Sequence, residues 1–98
     1  MKKIQVIWTC TIDIICVPDI IANNIDQYTD DFREWVSGVS FDPLISHGTC
    51  FSIEQYIYFL NNRYLSEHHE KVYLLHENFV PVTDKDFIYL RKMKKIYF

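Results

Sequence analysis

Every even-numbered residue from position 4 to position 16 is apolar: Ile4, Val6, Trp8, Cys10, Ile12, Ile14 and Cys16. The odd positions Lys3, Gln5, Thr9, Thr11 and Asp13 are polar. Side chains along an extended chain point alternately to opposite faces, so this pattern predicts one half-buried strand with a single face on the core. A strand of that kind needs an apolar layer to cover it. Val17-Pro18 ends it, because proline donates no ladder hydrogen bond and its fixed φ suits the first turn of a helix. Asp19 then falls where a carboxylate favours a helix N-terminus.

The covering layer follows at once. From Pro18 to Ser37 the apolar residues Ile21, Ile25, Tyr28, Phe32, Trp35 and Val36 form one stripe at about 100° per residue. Asp19, Asp26, Asp30 and Glu34 cluster opposite it, and Gly38 is a natural C-terminal stop. Val39 to Phe51, with Asp42-Pro43 and Gly48, reads as a loop or a short irregular strand. Ser52 and Gln55 have capping-box spacing for a second helix to about Leu65. Its stripe is Ile53, Tyr56, Ile57, Leu60 and Tyr64, with Tyr58 and Phe59 lying off it. Ser66 to Glu70 reads as a polar loop. Lys71 to Phe79 and Asp86 to Phe98 are β-like, joined by a Pro81- and Asp-containing turn. The expected fold is α+β in the order β-α-α-β-β: a single domain over residues 1–98, its three-stranded, mainly antiparallel sheet packed by two helices.

Composition narrows the class. With 98 residues, 49% of them hydrophobic and only two Gly and three Pro, the chain has the make-up of one folded domain. The apolar run from Ile4 to Val17 is interrupted by Gln5, Thr9, Thr11 and Asp13, so no membrane span is expected, and the N-terminus lacks signal-peptide features. Three cysteines without regular spacing argue against a disulfide framework, and a cytosolic protein is the simplest reading.

The net charge of −3 conceals an asymmetry. Between Ile4 and Asn62, Asp13, Asp19, Asp26, Asp30, Asp31, Glu34, Asp42 and Glu54 face Arg33 alone. From Arg63 onward seven bases meet five acids. The first part is therefore suited to a basic partner.

Catalytic patterns are weak throughout. His47 precedes Cys50 by three residues in a Gly-containing loop, but a thiol enzyme also needs a group to orient its base, and none is identifiable. His68, His69 and His76 lack the convergent spacing that zinc requires, so neither metal nor cofactor is expected. Cys10 and Cys16 share the apolar face of the first strand and read as small core hydrophobes. Arg91, Lys92, Lys94 and Lys95 with Tyr89 and Tyr97 hint at nucleic acid, yet the chain is acidic overall. Lysines guarding a terminal sheet edge explain them better, and no nucleic-acid partner is expected.

Asp26, Asp30, Asp31 and Glu34 form either an ordinary solvated face or a docking face for a basic partner. Tyr58 and Phe59 are candidates for aromatic anchors there, or for core packing against the sheet.

The strand ending in Val17-Pro18-Asp19, the helix IIANNIDQYTDDFREWV (20–36), the segment FSIEQYIYFLNN (51–62) and the closing KKIYF (94–98) resemble small bacterial immunity proteins. These are encoded beside contact-dependent inhibition or polymorphic toxins. The resemblance implies a cytoplasmic, non-enzymatic antitoxin that binds a cognate toxin C-terminal domain, often a nuclease, and covers its active or substrate-binding site. The family supplies no fixed contact residues; the acidic face and the off-stripe aromatic make Asp26, Asp30, Asp31, Glu34 and Tyr58 the expected ones. The alternative is a small adaptor or phage-type regulator that binds a host enzyme through the same acidic face.

Overall fold

The computed structural model describes residues 1–39 and 52–98, without the side chains of 37–39. Strands β1 (Lys2–Ile7) and β2 (Ile12–Val17) lead into helices α1 (Asp19–Ala22), α2 (Ile25–Val39) and α3 (Ile53–Arg63). Strand β3 (Tyr73–His76), helix α4 (Asp84–Arg91) and strand β4 (Lys94–Tyr97) follow. The fold is α+β, but among the described residues the sheet has four strands in the order β3-β2-β1-β4. Pairs β1–β2 and β2–β3 are antiparallel and β1–β4 is parallel, so the sheet is mixed rather than three-stranded.

The first correction concerns the alternating run, which is a hairpin and not one strand. The chain reverses at Thr9-Cys10, where Trp8 N–H donates to Thr11 O at 2.8 Å, and β1 and β2 pair in register Ile4↔Ile15 and Ile7↔Ile12. An unbroken strand from 4 to 16 would run roughly 40 Å, beyond the usual strand length. Residues opposite each other share a face, so the hairpin exchanges parity. Even positions Ile4 and Val6 of β1 join odd positions Ile15 and Val17 of β2 in the main core. The even positions of β2 turn to the other face, where Ile14 packs with Leu90 and Met93. The alternation is continuous only because β2 is apolar on both faces. Cys10 lies exposed in the turn instead of in the core, while Cys16 is buried.

The main core lies between the sheet and helices α1–α3. Phe32 occupies its centre, with ring centroids 5.0 Å from Tyr56, 5.4 Å from Phe59 and 5.7 Å from Phe98. The expected stripe is inside: Ile21, Ile25 and Phe32 are buried, and Tyr28, Trp35 and Val36 pack against them. The single expected helix breaks at Asn23-Asn24, both poor helix formers, and α2 continues through Gly38 to Val39. Helix α3 starts on the expected box: Gln55 N–H donates to Ser52 Oγ at 3.3 Å, and Ser52 N–H donates to Gln55 Oε1 at 2.9 Å. It ends at Arg63, just before the expected Leu65.

The opposite face of the sheet carries α4, which overturns the expected strand over Asp86–Phe98. Thr83 and Asp86 form a second capping box that starts α4 before the short β4. Gln5, fully buried in β1, donates through Nε2 to Leu90 O and ties this helix to the sheet. The layers are therefore α1–α3, the sheet, and α4.

Candidate functional site

The acidic residues of α2 do not share one environment. Asp26 and Asp30 lie beside β4, around a small cleft of about 220 Å³ bounded also by Thr29, Arg33, Lys95 and Tyr97. Both carboxylates are exposed, at 73% and 72%, and both are paired. Lys94 Nζ lies 2.8 Å from Asp26 Oδ2, and an Arg33 guanidinium nitrogen lies 2.9 Å from Asp30 Oδ1. Arg33 does more than relieve acid repulsion along its own helix. It also donates to Tyr97 O at 2.6 Å and stands over the Phe98 ring at 5.2 Å, which fastens α2 to the end of β4. Arg33 was the lone base of the acidic part, but nothing local announced a contact 64 positions away.

Asp31 turns toward α3. It accepts from Tyr64 OH at 2.8 Å and from Gln27 Nε2 at 3.1 Å. Partial burial, and then the hydrogen bond to the Asp31 carboxylate, push the Tyr64 hydroxyl up to about 12. Tyr64 also stacks on Tyr28 with centroids 4.0 Å apart. This carboxylate therefore helps to hold α2 against α3. Glu34 is exposed on α2.

The two off-stripe aromatics of α3 separate cleanly. Phe59 is core, packed against Phe32 and Trp35. Tyr58 is 61% exposed and stands beside a shallow cleft of about 190 Å³ formed by Trp35, Phe59, Asn62 and Arg63 among the described residues. The Arg63 guanidinium lies over the Phe59 ring at 5.5 Å. The structure thus brings Asp26 and Asp30 together, sets Asp31 at the α2–α3 seam, and places Tyr58 on the outer side of that helix pair.

The other sequence candidates group less well. His47 and Cys50 lie outside the described residues, as does the loop or strand expected over 40–51. The His68 and His69 rings stack 5.2 Å apart, and His76 sits on β3. No group of three or more His, Cys, Asp or Glu side chains among the described residues is placed to hold a metal. Among the described residues Lys94 and Lys95 lie on β4 at an edge of the sheet, whereas Arg91 ends α4 and Lys92 caps it, so the expected lysine edge is only half present. No helix among the described residues is long and apolar enough to cross a membrane.

Comparison with protein-family models, curated proteins and solved structures finds no match.

Proposed function

We propose that this chain is an immunity-type inhibitor that binds a cognate toxin domain and covers its active or substrate-binding site. The observation that carries the reading is the outer side of the α2–α3 pair. There Tyr58 stands exposed beside the Trp35–Phe59 cleft, next to the helix bearing Asp26, Asp30, Asp31 and Glu34. An exposed aromatic on a rigid helix is a good affinity anchor, and flanking carboxylates speed encounter with a basic surface. Nuclease domains present such surfaces, since they must hold a phosphate backbone. The inhibitor does no chemistry in this reading; it acts by occupying space and matching charge.

The ion pairs refine the mechanism. Asp26 and Asp30 already have intramolecular cations, so their share is long-range attraction more than new contacts. The test is co-expression with the toxin domain encoded by the neighbouring gene. The chain should restore growth and bind the purified domain, and absence of binding refutes the reading. Replacing Asp26, Asp30 and Glu34 together with lysine should slow association about tenfold or more at low salt and flatten its salt dependence. An unchanged association rate refutes the acidic-face mechanism.

A further inference from the structure

Several cations of this acidic chain border one concavity. A cleft of about 470 Å³ opens where β1, the α1–α2 break and the turn from α4 into β4 meet. Lys2, Lys3, Lys92 and Lys94 line it, four of the ten Lys and Arg residues in the chain. Among the described residues the one acid on its wall is Asp26, held by Lys94 at 2.8 Å. Lys3 points instead to the α4 face of β1, where its ammonium stands over the Tyr89 ring at 5.2 Å. Lys2 and Lys92 have no acidic partner among the described residues. Lys2 and Lys92 thus add positive charge to a concavity whose described carboxylate is already paired, which favours an external anion.

We propose that this cleft binds a small molecule bearing a diphosphate group. Lysine ammoniums suit phosphate because they act as compact point charges with three rotatable donors. The side-chain amide of Asn23 adds a neutral donor. The volume lies within the range of small-molecule sites and far exceeds one phosphate, while Ile4, Ala22 and Ile25 give the wall an apolar part for an organic group. This site shares only Asp26 with the acidic surface and does not depend on the inhibitor reading.

The probe is inorganic pyrophosphate, titrated into the isotopically labelled protein at constant ionic strength, with sodium chloride as the control. The expected result is saturable shifts of the Lys2, Lys3, Asn23 and Lys92 backbone amides, while those of Lys71 and Lys85 stay in place. The double variant Lys2→Gln, Lys92→Gln should weaken binding tenfold or more, while Lys71→Gln, Lys85→Gln leaves it unchanged. Asp26→Asn, which removes the opposing carboxylate, should tighten it. No saturation by millimolar pyrophosphate, or equal weakening by both double variants, overturns the proposal. The unsubstituted protein supplies the shift map, so the outcome does not rest on any variant folding.

Discussion

At the scale of single residues, a few polar side chains do the joining that the apolar stripes cannot. Asn61 mimics a strand partner: its Nδ2 donates to Val72 O at 3.0 Å, and its Oδ1 accepts from Val72 N–H at 2.7 Å. It thereby fastens α3 to the segment entering β3. Replacing Asn61 with alanine leaves both backbone groups of a buried residue unpaired, and should destabilise the fold by about 1–3 kcal/mol in urea unfolding. Asp13, buried in β2, accepts from Trp8 Nε1 at 2.6 Å and from Asn78 N–H at 2.9 Å, so one carboxylate holds both the hairpin end and the turn after β3. Asn78 has φ of 52°, a left-handed conformation that asparagine tolerates better than most residues.

Two tyrosines give the fold an alkaline limit. Burial pushes Tyr56 up to about 12, against the lowering effect of its hydrogen bond with Thr29 at 2.7 Å, and Tyr64 is raised to a similar value. Both folded-state values lie above the unfolded value of 10.0, so their contribution to stability is complete below pH 10 and is lost as the pH rises toward 12. Tyr56 contributes a slope of up to about 1.4 kcal/mol per pH unit in that window, and the more exposed Tyr64 contributes less. Denaturant midpoints measured from pH 9 to 12 should fall, and Tyr56→Phe should flatten the fall. An unchanged slope in that variant would place the sensitivity elsewhere.

At the scale of elements, capping explains where the helices begin. Ser52–Gln55 was legible because an apolar stripe follows it. Thr83–Asp86 has the same chemistry, but Asp84-Lys85-Asp86 also reads as a turn and the next residues are β-branched and aromatic, which masks the helix start. The backbone N–H groups of Val82 and Thr83 both donate to Asp86, at 2.9 and 3.1 Å, and hold its carboxyl below the usual range. Thr83→Ala should cost about 1 kcal/mol and loosen α4 first, seen as faster amide exchange over 84–91 while the α2–α3 amides stay protected. The hairpin was hidden for a different reason. Thr9-Cys10 carries no Gly, Asn or Pro, and the two-faced apolarity of β2 continues the alternation across the turn.

At the scale of the whole molecule, the two signs of charge meet along α2: Asp26 and Asp30 face β4, where Asp26 pairs with Lys94, while Tyr58 stands beside the Trp35–Phe59 cleft of the α2–α3 pair. Tyr58 supports little of the core, being exposed, whereas Phe59 beside it is buried. Tyr58→Ala should therefore leave the melting temperature nearly unchanged while weakening partner binding roughly 5- to 30-fold by calorimetry. Loss of binding accompanied by loss of folding would assign Tyr58 to the core instead.

The sequence alone determined what is local: the α2 stripe and its buried residues, the stop at Pro18, the Ser52 cap and the α+β class. Each rests on contacts within a few positions, where spacing and residue type suffice. Tertiary structure alone decided which face of β2 meets which helix layer, that β4 lies parallel to β1, and that Asp26 meets Lys94 across 68 positions. Those outcomes depend on chain segments meeting in space, and the period of a single segment cannot record what will cover its second face.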